Sequence, residues 1–372
     1  MTQTSHISSG SAGRLTWATC IATLNRHDVL MVALSLVLQQ TRPPTEIVIV
    51  DASDNWEEGR ARAEALLEGR PEIRLDYVTS PVRSSATQRN LAISRATSDI
   101  VFLIDDDSFL YDTCAEELMA VYEADPGRGI AGVSAQHVAV NPVAETTSRD
   151  AGLARKESGR RTQGRLAQVV LRSRVGRWIN REILFQGSDV LFLHYDEPRE
   201  LRVPSSVAHL NVTATKLMPG SGMSIWRDIA LREQFDTTLR YYAAFEDFDV
   251  SYRIARHGAL LRANLAKLHH YEAASGRIKR KKVIAFQLMN MAVFLKRNAS
   301  RPDDFLSRYR VMLWRRLLSE FLKDGLSRRW QFPQVAGVLT AMRHWREIWS
   351  RDAEEIDLWY PDFQKRILED IG

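Results

Sequence analysis

The apolar run Ile100-Val101-Phe102-Leu103-Ile104 ends abruptly in Asp105-Asp106-Asp107. Five such residues in a row read as a strand buried on both faces. Three adjacent carboxylates repel one another, and each raises its neighbours' pKa. A hard divalent cation relieves that repulsion, because Mg²⁺ and Mn²⁺ prefer carboxylate oxygen. At the C-terminal end of a strand in an α/β sheet, the cluster falls where such folds bind ligands. An acidic turn has the same composition, since Asp is common in turns. The rest of the chain has to separate the two readings.

The segments before the cluster alternate. Leu15 to Ala22 reads as a buried strand and is followed by the polar loop Thr23-Leu24-Asn25-Arg26. Val29 to Gln40 has helical spacing of its apolar residues and stops at Pro43-Pro44. Glu46 to Val50 is a second strand, closed by Asp51, and Glu57 to Gly69 a second helix. Ile73 to Thr79 alternates like a strand, and Ser85 to Ala96 returns to helical spacing. A helix around Thr113 to Glu123 and a strand over Gly129 to Ser134 follow the acidic run. This order predicts a mostly parallel α/β sheet with helices on both faces. Right-handed crossovers then place Thr23 to Arg26, Asp51 and Asp105 to Asp107 on one rim. One polar strand end is ordinary; three on one rim form a site.

The 372 residues suffice for one large domain with additions or for two. Hydrophobic residues make up 45% and charged residues 26%, the balance of a globular chain. Cys20 and Cys114 give neither a disulfide framework nor metal-ligand spacing, which suits a reducing cytosol. The polar segment 1–13 reads as a disordered N-terminus without a secretory signal. Val29 to Leu38 is the longest apolar stretch, about half of the ~20 residues that a membrane span needs. Charge is uneven: Gly276 to Arg346 holds 17 Lys and Arg against 4 Asp and Glu, while the whole chain is only +5. A helical, basic and aromatic C-terminal extension over 276–372 is expected beside a more acidic body at 14–275. Between 141 and 206 the periodicity fades and Arg residues cluster, which reads as a variable insertion with helix around Arg165 to Ile183 and a short strand at Val190 to His194.

A second acidic cluster, Glu246-Asp247-Phe248-Asp249, opens a helix that Gly258 closes. Acidic first turns are favoured by the helix dipole, so capping explains part of it. Asp247 is the candidate general base, because a carboxylate at a helix start can keep its charge and project into a cleft. His269 and His270 end an apolar stretch further on, and an imidazole joined to aspartate oxygens suits Mn²⁺ or Mg²⁺. Arg83 and Arg89 carry the guanidinium fork that fits phosphate.

From about Thr16 to Ser275, roughly 70% of the chain, these motifs resemble the inverting glycosyltransferases of family 2, which have a GT-A fold. Thr23-Leu24-Asn25-Arg26, Asp51, Gln88-Arg89-Asn90, the DxD-like Asp105-Asp106-Asp107, Phe245-Glu246-Asp247 and the late His270 follow in that family's order. The resemblance implies a nucleotide-sugar donor contacted by Thr23, Asn25, Arg26, Asp51, Arg83, Arg89 and Asp106. It implies a Mn or Mg ion on Asp105, Asp107 and His270, and Asp247 as catalytic base. Gly222, Trp226 and Glu246 would shape the acceptor pocket. The implied acceptor is a saccharide or a lipid-linked glycan of polysaccharide or cell-envelope biosynthesis, met in the cytoplasm. Two departures stand out: Ser84-Ser85 replaces a glycine common in that loop, and the Arg-rich stretch from Arg149 to Arg181 has no counterpart.

Lys, Arg and Trp together in the C-terminal extension fit either an anionic membrane surface or a helical lid. No nucleic-acid module accompanies the basic surface, so nucleic acid is not an expected partner. Two other functions remain open at this level: a nucleotidyltransferase, which lacks here its Gly-rich basic loop after the first strand, and a non-catalytic protein that keeps the fold.

Overall fold

A computed structural model describes residues 14–145, 173–174, 178, 201–240, 244–271 and 279–371. Apart from residues 173, 174 and 178, the expected helix of the insertion lies outside the described residues, as does its expected strand.

The strands are β1 (Trp17–Thr23), β2 (Glu46–Asp51), β3 (Arg74–Thr79), β4 (Ile100–Asp105), β5 (Ser108–Leu110), β6 (Ile130–His137), β7 (Val212–Ala214), β8 (Gly222–Trp226) and β9 (Ala259–His270). The helices between them are α1 (His27–Leu38), α2 (Trp56–Leu66), α3 (Ser85–Arg95), α4 (Cys114–Glu123), α5 (Arg227–Glu233) and α6 (Glu246–Ile254). One sheet forms, in the order β3-β2-β1-β4-β8-β6-β9-β5, with β7 added on β9. Strands β3, β2, β1 and β4 are mutually parallel, and β6 and β9 are parallel to each other. Strand β8 runs antiparallel between β4 and β6. The expectation of a mostly parallel α/β sheet therefore holds.

Burial explains the sequence pattern. All six residues of β2 and five of the six in β4 are buried, because helices cover both faces. Side chains such as Trp17, Ile21, Leu34, Ile47, Phe102 and Tyr122 fill the two interfaces. Each large apolar side chain buried this way contributes about 1.5–3 kcal/mol.

Register brings the polar strand ends together. Thr23 is level with Asp51, and Ala22 with Asp105. Gln88, on α3, donates to the carbonyls of Thr23 and Val50 at 2.9 and 2.8 Å, which fastens the helix across both strand ends.

The C-terminal extension is helical, as expected. It comprises α7 (Arg280–Asn298), α8 (Asp303–Leu326), α9 (Pro333–Trp349) and α10 (Ala353–Ile371). Helix α7 is its core: Ile284 to Phe286 and Leu288 to Leu295 are all buried. The bundle docks on α6 through aromatic rings. Phe294 lies 5.0 Å from Phe248, 5.3 Å from Tyr252 and 5.6 Å from Phe245. Among the described residues no helix is long and apolar enough to cross a membrane.

Gly337 sets how closely α9 approaches α7. A Cβ there would lie 2.5 Å from the Lys281 carbonyl oxygen, which is backbone and cannot move aside. Gly337→Ala should therefore destabilise the protein by about 1–3 kcal/mol in urea denaturation. Gly325→Ala in α8, where nothing lies within 4 Å, should be neutral or stabilising by up to ~1 kcal/mol in the same assay.

Candidate functional site

Successive residues leaving a strand point to opposite sides, and this alternation divides the three aspartates. Asp105 and Asp107 turn toward His270, Asp105 partly exposed and Asp107 only 3% exposed, whereas Asp106, 0% exposed, turns to Thr23. Strand β5 starts immediately after the turn and pairs with the end of β9, placing Ser108 opposite His270. The Tyr271 N–H donates to the Asp107 carbonyl at 2.9 Å, locking that junction. His270 Nε2 then stands 3.1 Å from Asp107 Oδ1 and 3.6 Å from Asp105 Oδ2. The neighbouring His269 turns away, with Nδ1 3.1 Å from the Val138 carbonyl oxygen.

Asp105, Asp107 and His270 each offer one ligand atom, and these atoms lie within 4.8 Å of one another. Two carboxylate oxygens and one imidazole nitrogen form a donor set suited to a hard divalent cation with positions left for water or phosphate oxygen. The residues present fit such an ion.

Two arginines neutralise the surrounding acids. Arg26 pairs with both oxygens of Asp106 and, through Nη1 at 3.2 Å, with Asp107. Arg89 donates to Asp105 at 2.7 Å and pairs closely with Glu246. Ser85 adds an O–H to the Glu246 carboxylate at 3.1 Å. Glu246 is nevertheless pushed up to about 7, mainly by burial and despite Arg89. Asp106 is also raised to about 7 by burial, against the pull of Arg26 and Thr23.

Asp247 sits in the first turn of α6 and keeps an exposed edge. Its Oδ1 accepts the Phe248 N–H at 2.9 Å, and its carboxylate also takes the backbone N–H of Gly220. Burial of the carboxyl raises its pKa, and Arg89 and the two N–H groups oppose the rise. The residue before this turn, Phe245, has φ 85°, a left-handed conformation that is rare for an aromatic residue. A tilted contact with Phe248 at 4.6 Å and an edge contact with Phe294 at 5.6 Å hold it there.

The residues expected to contact the donor lie at different depths. Thr23, Asp51 and Asp106 form a buried layer under the rim, not its surface. Thr23 donates to Asp106 at 2.7 Å. Asp51 accepts from the Tyr77 hydroxyl at 2.6 Å and from the Ser53 N–H at 2.8 Å, and its Oδ2 lies 2.8 Å from His27 Nε2. These strand ends carry polar residues because they brace the site from below. Arg89 likewise has its guanidinium engaged by Asp105 and Glu246. Arg83 is exposed and pairs with Asp54 at 2.6 Å. Asn25 is exposed beside Arg26, with φ 55° and its N–H on Ser53 Oγ at 2.7 Å.

The two pocket residues of β8 also change meaning. Because β8 runs against β4, Gly222 is level with Ile104 at the rim but Trp226 with Ile100 at the opposite end. Four residues of strand separate them, about 13 Å. Trp226 is a core residue there, donating to the Ile130 carbonyl at 2.9 Å and covered by Arg128 at 4.1 Å. Gly222 provides room for Leu268, whose Cδ2 a Cβ would meet at 2.5 Å.

His137 is a rim residue that sequence reasoning missed. It ends β6, its ring lies 6.3 Å from that of His270, and its Nε2 is 2.9 Å from Ser221 Oγ. A longer reading of the strand predicted at Gly129 to Ser134 would have placed it on the rim.

An open parallel half-sheet, a DxD-like turn closed by histidine and a carboxylate opening a later helix make up a fold of GT-A type. Residues 19–185, a little under half of the chain, match the family model of Glycosyl transferase family 2. A comparison with curated proteins finds no match. Among solved structures, the mannosyltransferase PcManGT from Pyrobaculum calidifontis, in complex with GDP-Man and Mn²⁺, is 15% identical. It aligns over 92% of this chain and 89% of its own, with a TM-score of 0.53, a likeness of fold. S. aureus TarS 1–349 in complex with UDP is 12% identical over 79% of this chain and 70% of its own, with a TM-score of 0.44. GalNAc-T7 with UDP, GalNAc and Mn²⁺ is 14% identical over 85% and 58%, with a TM-score of 0.45. The last two likenesses are too slight to build on.

Replacing Asp107 with Ala should remove high-affinity Mn²⁺ binding, read as free Mn²⁺ by electron paramagnetic resonance. His270→Ala should weaken it about 10–100-fold. Equal binding by both variants and the wild type would refute the ligand set.

Proposed function

We propose that the protein is an inverting glycosyltransferase that moves a sugar from a nucleotide-sugar to a hydroxyl of a saccharide or glycolipid acceptor, with Mn²⁺ or Mg²⁺ at Asp105, Asp107 and His270. The observation that carries this reading is Asp247, a partly exposed carboxylate with a raised pKa fixed by two backbone N–H groups beside a cation-type donor set. A bound divalent cation supplies positive charge against the leaving diphosphate. Arg26 stands at the same edge and adds a second, protein-borne positive charge. Asp247 accepts the proton of the acceptor hydroxyl as its oxygen attacks the anomeric carbon from the face opposite the diphosphate. One displacement inverts that carbon. Asp247 is the base because Glu246, its neighbour, is tied to Arg89 and Ser85.

Asp247→Asn should keep nucleotide-sugar and Mn²⁺ binding while transfer falls about 10²–10⁴-fold, the usual contribution of a general base. Transfer at the wild-type rate would exclude Asp247, and retention of the donor's anomeric configuration, read by NMR, would exclude inversion.

We infer further that α8 rests on an anionic bilayer surface. Val311, Trp314, Leu318 and Phe321 recur at helical spacing on one face and are exposed, Trp314 by 63%. Trp330, at 72% exposure, extends this apolar face next to Phe332. The exposed Arg308, Arg310 and Arg315 fringe the stripe on both sides, a charge pattern complementary to acidic headgroups. The protein should float with phosphatidylglycerol vesicles at low salt and not with phosphatidylcholine alone, and Trp314→Glu should abolish flotation. Concentration-dependent dimerisation without vesicle binding would assign the face to a second copy instead.

A further inference from the structure

A second cavity opens beside the site and carries a chemistry of its own. It measures about 350 Å³ and is lined among others by Gln136, His137, Thr215, Lys216, Pro219 and Arg262. Lys216 and Arg262 bring positive charge to it, and no aspartate or glutamate is among its lining residues. Among the described residues no carboxylate pairs with either. Arg262 has one hydrogen bond to a side chain there, to Asn264 Oδ1 at 3.4 Å. Elsewhere in this protein the arginines near the rim are matched by acids, as Arg26 and Arg89 are. Two unmatched cations in a concave, partly buried space attract an anion, and an arginine fork binds an oxyanion with directional hydrogen bonds.

The cavity is joined to the chemistry by structure. His137 is shared: it lines the cavity and abuts His270. The loop from Thr215 to Gly220 forms the opposite wall, and its far end supplies the N–H that holds Asp247. Midway along that loop the Met218 N–H donates to Ser251 Oγ of α6 at 3.1 Å. Cavity wall and base are therefore joined through α6. The cavity is built on other strands than Arg26. Arg26 follows β1, whereas the cavity lies against β6, β7 and β9.

We propose that this cavity is an acceptor subsite for an oxyanion, so that the acceptor hydroxyl presented to Asp247 belongs to a sugar bearing a phosphate or a carboxylate. Lys216 and Arg262 bind the oxyanion, and its charge fixes which way the acceptor enters. The proposal rests on the glycosyltransferase reading of the adjacent site.

The test uses the full chain saturated with Mn²⁺ and UDP or GDP. Calorimetry then compares three probes: a hexose 6-phosphate, a hexuronate and the uncharged hexose. At least one charged probe should bind tenfold or more tightly than the hexose. Lys216→Ala and Arg262→Ala should each remove most of that margin, Lys216→Arg should restore it, and raised salt should narrow it. A margin for the phosphate alone assigns a phosphorylated acceptor, and one for the uronate alone an acidic sugar. Equal binding of all three probes, or a margin unchanged in both alanine variants, would overturn the subsite. Failure of the underlying reading looks different: neither nucleotide would stabilise the wild type with Mn²⁺, whatever the probes do.

Discussion

The structure is organised around crowded negative charge. Asp105, Asp106, Asp107, Glu246 and Asp247 converge on one end of a sheet whose strands are otherwise apolar. Such a cluster is tolerable only if each carboxylate has a cation, a proton or a set of N–H donors. The fold supplies all three. Arg26 serves Asp106 and Asp107, and Arg89 serves Asp105 and Glu246. Backbone N–H groups serve Asp247, and burial raises the pKa of Asp106 and Glu246, which favours a proton on each. The remaining rim atoms, on Asp105, Asp107 and His270, form the group that suits a metal ion.

This arrangement also explains why the helical extension packs where it does. Helix α6 begins with a residue in a left-handed conformation, a cost of order 1–3 kcal/mol. The rings of Phe245, Phe248, Tyr252 and Phe294 offset that cost, and Phe294 comes from the extension. Polar contacts act in the same sense. Asn298 donates to Asp249 at 2.9 Å, and Asn290 to the Ala244 carbonyl at 2.7 Å. The bundle is thus a support for the helix that bears Asp247, while one face of α8 stays open. The lid and membrane readings of the extension describe two different faces of it.

Much of this was legible in the sequence, for a physical reason. Period-2 and period-3.6 patterns report burial, and β1 to β4 with α1 to α3 are buried in regular alternation. Their strand ends fall on one rim wherever the connections are right-handed crossovers, so Thr23, Asp51 and Asp105 to Asp107 could be placed together, whereas His270 joined them through the family resemblance. What was not legible depends on the antiparallel insertion of β8. No local signal reveals a strand's direction, and reversing β8 moves Trp226 from the rim to the far end. Depth was equally hidden. Thr23, Asp51 and Asp106 sit at the correct strand ends, but their orientation depends on which neighbours reach them. Tyr77 and His27, from elsewhere in the chain, turn Asp51 inward.

The direction of the Glu246 shift bears on why that residue is present. Its carboxyl, ordinarily near 4.5, is raised to about 7 in the folded chain, chiefly by burial. The folded state therefore binds this proton more tightly than the unfolded state does. Stability from this group is greatest below about pH 4.5 and declines as pH rises toward 7. A carboxylate kept only to cap a helix or form a stabilising ion pair shifts the other way, as Glu46 does: its carboxyl is lowered to about 2 by Thr97, Ser98 and Arg74, against the effect of burial. Glu246 also fixes Arg89 against Asp105, and in return, despite burial, its charge raises the Arg89 guanidinium. A buried acid that takes the Ser85 hydroxyl and the arginine that also meets Asp105 is better explained by the geometry of the site than by the folding of the helix it begins.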